Sequence, residues 1–123
     1  MDSVEIVRIK RAVERTGGRF LRRVFTETEQ AYCDARRDRF ACYAARFAAK
    51  EAVLKSIGTG LAGCRWTDIE IRRLPGSGPE VMFSGRAAEL AGKKRIAGSL
   101  VSISHDRGRA IAFALVIGAG GET

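Results

Sequence analysis

The chain has 123 residues, 46% of them hydrophobic and 29% charged, which suits one globular domain burying about two-thirds of its unfolded surface and leaves no room for a second full domain. Its longest apolar run, Ala110 to Ile117, is eight residues, far short of the roughly 18 that a spanning helix needs. Twenty-two basic residues, seventeen of them arginine, stand against fourteen acidic ones for a net charge of +8, so the partner is expected to be anionic: nucleic acid, a phosphate-rich ligand or an acidic protein.

From the N-terminus, Met1-Asp2-Ser3-Val4-Glu5 places an acid where a secretory signal has basic residues, so a cytoplasmic protein is expected. Cys33, Cys42 and Cys64 show no C-x-x-C spacing and fit neither a disulfide framework nor a zinc site. Val4, Ile6, Val7, Ile9 and Val13 begin with strand spacing and drift into helical spacing, which predicts a short strand and a helix ending at Thr16-Gly17-Gly18. Phe20, Leu21, Val24 and Phe25 read as a short apolar turn. Thr26-Glu27-Thr28-Glu29 matches a capping box and opens a helix to about Arg36. An alanine-rich helix follows from about Phe40 to Ile57, closed by Gly58.

Residues Trp66 to Arg73 alternate, with Trp66, Asp68, Glu70 and Arg72 on one face and Thr67, Ile69 and Ile71 on the other, and predict a strand. Pro75 to Pro79 is a turn, Val81-Met82-Phe83 the return strand, and Ser84 the cap of a helix through Leu90. Ser99 to Ser104 and Arg109 to Ile117 are two more strands, joined by a turn at His105-Asp106-Arg107-Gly108. The order predicts an α+β fold, helices packed on an antiparallel sheet, as one domain over 1–123 with fraying at 1–3 and 118–123.

The helix from Phe40 carries Glu51 four residues after Phe47 and four before Lys55, so a carboxylate borders the apolar stripe. Burying it alone would cost several kcal/mol, so Glu51 needs a cation, either a lysine or a metal. An ordinary i, i+4 pair with Lys55 would contribute only about 0.2 to 0.5 kcal/mol. Gly58-Thr59-Gly60 could let a phosphate approach the backbone, though ending a helix is the commoner job of such a glycine. His105, the only histidine, is followed by Asp106. Arg8, Arg11, Arg15, Arg19 and Arg22 recur every three or four residues, a guanidinium stripe for an acidic helix or a phosphate backbone if Gly17-Gly18 only interrupts it. Neither stacking aromatics nor a nucleic-acid motif accompanies the stripe.

Together these blocks resemble the holo-acyl-carrier-protein synthase family, the small 4′-phosphopantetheinyl transferases. Arg46-Phe47-Ala48-Ala49-Lys50-Glu51-Ala52-x-x-Lys55 with Gly58-Thr59-Gly60 is similar to the family's central signature. Asp2 with Val4-Glu5-Ile6 and Arg8-Ile9 resembles its aspartate motif, Phe20 to Tyr32 the segment that follows, and Trp66-Thr67-Asp68-Ile69-Glu70 and Val101-Ser102-Ile103-Ser104-His105-Asp106 its later blocks, in order from Asp2 to about Ile117.

The resemblance implies transfer of the phosphopantetheine arm of coenzyme A to a serine of apo acyl carrier protein, releasing adenosine 3′,5′-bisphosphate, with Mg²⁺ as cofactor. It implies Asp2 and Glu51 as metal ligands, Glu51 and Lys55 as catalytic residues, and Arg46, Gly60, Ser104 and His105 near coenzyme A, with Asp106 as a possible second acid. Arg8, Arg11, Arg15 and Arg22 would dock the acidic carrier. Family members of this length form homotrimers with sites between subunits. The family's short apolar strand before its aspartate has no counterpart here, so Asp2 is expected to be held from one side only. Two other readings are a homologue that only binds carrier protein or coenzyme A, and a small basic nucleic-acid-binding module; neither nucleic acid nor a membrane is expected as a partner.

Overall fold

A computed structural model describes residues 2–58, 63–73, 76, 78–106 and 108–118, with 97–100, 105, 106 and 115–118 described by their backbone. The elements are β1 (Asp2–Glu5), α1 (Ile6–Thr16), α2 (Gly18–Val24), α3 (Glu27–Asp34), α4 (Arg39–Ile57), β2 (Ile69–Arg73), β3 (Pro79–Phe83), α5 (Gly85–Lys93), β4 (Ile96–Asp106) and β5 (Arg109–Gly118). The strands form one antiparallel sheet in the order β1-β5-β4-β3-β2. The expected α+β arrangement is therefore present.

The core lies between α4 and one face of this sheet. Ala44, Ala48, Ala49 and Ala52 on the helix and Ala110 and Ala112 on β5 are all buried, and small side chains on both sides let the helix lie close to the strand. Ile69, Ile71, Val53 and Leu54 fill the space beside them. Alternation along the strands exposes the other face: Ser102 and Ser104 on β4, Met82 on β3 and Phe113 on β5 are exposed.

The capping box is present in full, with the Thr26 hydroxyl accepting from Glu29 N and the Glu29 carboxylate accepting from Thr26 N. Gly58 ends α4 at φ 80°, the left-handed conformation that glycine adopts without a Cβ clash. Three segments differ from the sequence reading. Phe20 to Val24 belong to a helix, α2, because Gly17 at φ 62° and ψ −137° ends α1 and lets a second helix start at the next residue. Trp66–Asp68 is a 3₁₀ turn, and the strand begins only at Ile69; Ile69 and Ile71 face the core as the alternation requires. The turn after β4 is shorter than four residues, since Asp106 pairs with Arg109 and only positions 107 and 108 lie between.

Residues 2 and 3, expected at a frayed end, are paired in β1 with Ala112 and Ile111. Met1 and residues 119–123 lie outside the described residues.

Candidate active site

Two elements distant in sequence meet at the C-terminal half of α4. The β1–β5 pairing presents Asp2 toward the helix, and Asp2 is 8% exposed. Lys55 Nζ reaches across and donates to Asp2 Oδ1 at 2.6 Å. The ammonium therefore serves Asp2, and the i, i+4 pair with Glu51 that the helix spacing predicts does not form; no ion pair of Glu51 is found among the described residues. Burial, followed by the negative charge of Asp2, raises the Glu51 carboxyl above its ordinary range, while Lys55 and Arg8 pull it down. The hydrogen bond to Asp2 raises Lys55 in turn. One carboxylate is thus bonded to the ammonium and the other, Glu51, stands near it without an ion pair of its own among the described residues; the hard oxygens of the two match what Mg²⁺ takes. No group of three or more His, Cys, Asp and Glu with metal-site geometry is found among the described residues.

Glu51 opens into a cavity of about 540 Å³ whose walls include Arg8, Arg11, Arg15, Phe20 and Phe47. The arginine stripe is split at Gly17. Arg8, Arg11 and Arg15 on α1 face the Glu51 cavity, whereas Arg22 lies on α2 in a separate cavity with Arg23, Cys64, Arg65 and Trp66. Gly17's positive φ ends α1 and starts α2 in a new direction, so the five arginines do not lie on one continuous helical face.

Arg46 lies five residues before Glu51 on α4, close to half a helical turn away, and so serves a different cavity. That one, about 370 Å³, is lined by Tyr32, Arg36, Arg37, Cys42, Arg46 and Arg73, among others. Arg46 is 6% exposed. Its guanidinium sits 4.2 Å from the centre of the Tyr32 ring and donates through Nη1 to Cys42 Sγ at 3.2 Å, while its buried Nε has no hydrogen-bond partner among the described residues. A buried donor left unmade is costly.

Between these residues lies a pair that the sequence reading missed. Lys50, fully buried, binds Glu29 Oε1 at 2.7 Å, the carbonyl of Val24 at 2.7 Å and that of Trp66 at 3.1 Å. Glu29 Oε2 accepts from the backbone N–H of Ile71 at 2.8 Å. Burial pushes the Lys50 ammonium down, and Glu29 opposes that. Lys50 thereby ties α4 to α2, α3 and the 3₁₀ turn before β2 and supports the helix rotation that points the next residue, Glu51, at its cavity. The second half of the capping-box motif was the only available signal, and it explains Glu29 locally without naming Lys50.

Ser104 is exposed on the outer face of β4, paired with Ile111. His105 and Asp106 occupy the last two backbone positions of β4, opposite Ala110 and Arg109; their side chains, like Thr59 and Gly60, lie outside the described residues.

The 4′-phosphopantetheinyl transferase superfamily model matches residues 1–114. A holo-[acyl-carrier-protein] synthase of Desulforudis audaxviator is 52% identical over 118 residues, covering 96% of this chain and 90% of the relative. The crystal structure of the holo-[acyl-carrier-protein] synthase from Neisseria meningitidis superposes with a TM-score of 0.87 at 28% identity, over 94% of this chain and 93% of that one. The Helicobacter pylori enzyme in complex with coenzyme A gives 0.82 at 33% identity, over 94% and 96% of the two chains. An α+β fold with a buried aspartate and a glutamate–lysine helix, together with similarity along nearly the whole length, places the chain in the 4′-phosphopantetheinyl transferase superfamily, among the holo-acyl-carrier-protein synthases.

Proposed function

We infer that the chain transfers the 4′-phosphopantetheine arm of coenzyme A to a serine hydroxyl of apo acyl carrier protein, releasing adenosine 3′,5′-bisphosphate. The observation that supports this most directly is the meeting of Asp2, Glu51 and Lys55 beside a cavity walled by Arg8, Arg11 and Arg15. It combines a carboxylate with a raised proton affinity, an ammonium and a basic approach surface, which phosphoryl transfer from a pyrophosphate to an acidic protein needs.

In this mechanism Glu51 takes the serine proton, directly or through one water. Its raised proton affinity makes it a better base than a solvated carboxylate. Lys55 moves from Asp2 toward the phosphoryl oxygens as charge builds on them. Arg46, on the wall of the 370 Å³ cavity, holds an anionic part of coenzyme A. Arg8, Arg11 and Arg15 receive the acidic carrier, with Arg22 a separate contact on the neighbouring cavity. Asp2 and Glu51 are the residues that would hold Mg²⁺, which when bound neutralises charge on the pyrophosphate. Gly60 and His105 keep their assignment near coenzyme A, and Asp106 that of a second acid.

The active form is a homotrimer, and residues 1–123 act as one catalytic domain in the cytoplasm; among the described residues no helix is long and apolar enough to cross a membrane. Phe113, 54% exposed, and Met82, 42% exposed, lie on a sheet face that no helix among the described residues covers, an apolar surface that copies of this chain would bury. Ser104 projects from that same outer face, away from α4. Ser104 is therefore read as contacting coenzyme A in a neighbouring copy's site.

Incubation with coenzyme A, Mg²⁺ and apo carrier should raise the carrier's mass by one phosphopantetheinyl group. Binding of both substrates with no mass gain would instead identify a catalytically inactive binding homologue, and a monomer in sedimentation at working concentration would overturn the shared site.

A further inference from the structure

Cys33 stands in the last turn of α3 and Cys42 in the first turn of α4, nine residues apart across the α3–α4 junction. Their sulfur atoms are 2.7 Å apart, Cys33 donating to Cys42, and both are free thiols. Two sulfurs held in direct contact need only a small side-chain rotation to reach bonding distance. We propose that Cys33 and Cys42 form a reversible thiol–disulfide couple, with Cys42 the attacking and Cys33 the resolving sulfur, oxidised by an anionic low-molecular-weight disulfide.

The two sulfurs have opposite surroundings, and these assign the roles. Cys33 is fully buried in the core, and its thiol is pushed up, first by its hydrogen bond to Cys42 and then by burial. Cys42 is half-buried and lines the 370 Å³ cavity together with Arg36, Arg37, Arg46 and Arg73. The hydrogen bond it accepts from Cys33 and the positive charges of Arg46, Arg36 and Arg73 lower it to about 7, against the opposing effect of burial. The bonded thiol and the guanidinium groups thus favour the thiolate, the nucleophilic form, on Cys42 at the wall of this cavity. The guanidinium groups favour a reagent that carries negative charge. Cys64 also lines an arginine-bearing cavity, but it has no sulfur partner among the described residues, and burial and Asp68 raise its thiol.

The chemistry balances as two exchanges. The Cys42 thiolate attacks one sulfur of the reagent RSSR; a Cys42–S–S–R bond forms, the reagent's S–S bond breaks, and RS⁻ leaves. That thiolate takes the Cys33 proton, and the resulting Cys33 sulfur attacks Cys42 Sγ from the core side, expelling the second RS⁻. Overall the pair loses two electrons and one proton, and one RSSR becomes RSH and RS⁻. The bond closes a loop over residues 34–41, which includes Arg36, Arg37 and Asp38 of the same cavity wall, and removes the thiolate that holds Arg46 Nη1. Disulfides in a reducing compartment are commonly of this transient kind.

The proposal is tested on the full chain carrying Cys64→Ser, by intact mass and peptide mapping after exposure to glutathione disulfide. The expected product is a monomer lighter by two hydrogens, with the Cys33 and Cys42 peptides joined, and dithiothreitol restores the original mass. Adding Cys33→Ala should trap one glutathionyl group on Cys42, whereas adding Cys42→Ala should leave Cys33 unmodified while the protein is folded. At low salt glutathione disulfide should react about tenfold faster than the cationic cystamine, a lead that vanishes in high salt. The assignment fails if the folded Cys64→Ser protein stays reduced under conditions that oxidise it in denaturant, or if the trapped group is found on Cys33. The reading of Arg46 as a coenzyme A contact is untouched by either result, since no substrate enters these measurements.

Discussion

Lys55 binds Asp2 across 53 residues of sequence at 2.6 Å, and in doing so leaves Glu51, its neighbour on the same helix face, without an ion pair among the described residues. The ammonium is 70% exposed while its aspartate is 8% exposed, so the ammonium is the movable partner. Lys55→Met should lose kcat more than coenzyme A affinity, because its charge is needed where negative charge develops, and should lose some stability by leaving the buried Asp2 carboxylate unpaired. Removing that cation should also shift the acid limb of the kcat/KM profile upward in pH, since Lys55 is one of the two groups that lower Glu51. A loss confined to KM would make Lys55 a binding residue.

Glu51→Gln is expected to lower kcat about 10²- to 10⁴-fold with an unchanged far-ultraviolet circular dichroism spectrum. Stability supplies an independent check. Folding raises the Glu51 carboxyl above its ordinary value near 4.5, so the folded chain holds this proton more tightly than the unfolded one. Stability from that group is complete below the unfolded value and is lost as pH rises through the folded value. The variant has no such loss. Its Tm should match the parent's in acid and exceed it at neutral pH; a variant less stable than the parent at neutral pH would mean that the carboxylate has a stabilising partner.

Because Gly17 divides the arginine stripe, its halves should behave differently. Arg11→Glu with Arg15→Glu should raise the carrier KM about 10- to 100-fold at low salt and flatten its salt dependence. Arg22→Glu should do less, since it faces the cavity of Cys64 and Trp66 rather than that of Glu51. Steady-state kinetics with each substrate varied in turn distinguishes them, and equal effects from the two halves would contradict the division.

What the sequence made legible is local. Thr26 and Glu29 are three residues apart, and Gly58 directly follows the helix it ends, so both were readable. Glu51 and Lys55 were visible as a pair on one helix face, yet the partner Lys55 chooses comes from β1, and no periodicity within α4 contains that information. The polar–apolar alternation of Trp66 to Arg73 continues through a 3₁₀ turn into a strand, so the period alone placed the strand three residues too early. Cys33 and Cys42 looked unrelated because α3 and α4 bring them together by their packing, not by their spacing. The same applies with more force to Glu29 and Lys50.

Those two residues form an ion pair with both side chains fully buried, a costly arrangement unless every lone pair and proton is used. Here they nearly are: Lys50 donates to Glu29 and to the carbonyls of Val24 and Trp66, while Glu29 accepts from Lys50, Thr26 N and Ile71 N. Removing one member strands the other's charge in the core, and Glu29→Gln should destabilise the fold by about 3–5 kcal/mol. Lys50→Met should cost a similar amount by leaving the Glu29 carboxylate unpaired, whereas the double change Glu29→Gln, Lys50→Met leaves no buried charge and should recover much of either loss. Urea denaturation of the parent, both single variants and the double variant gives the coupling directly. If the losses simply add, the two side chains act independently, and the claim that this pair sets the rotation of α4 behind Glu51 would have to be abandoned. If they couple as expected, the double variant should regain stability but not full turnover, because Met offers no hydrogen bond to Val24 or Trp66 to hold the helix in register.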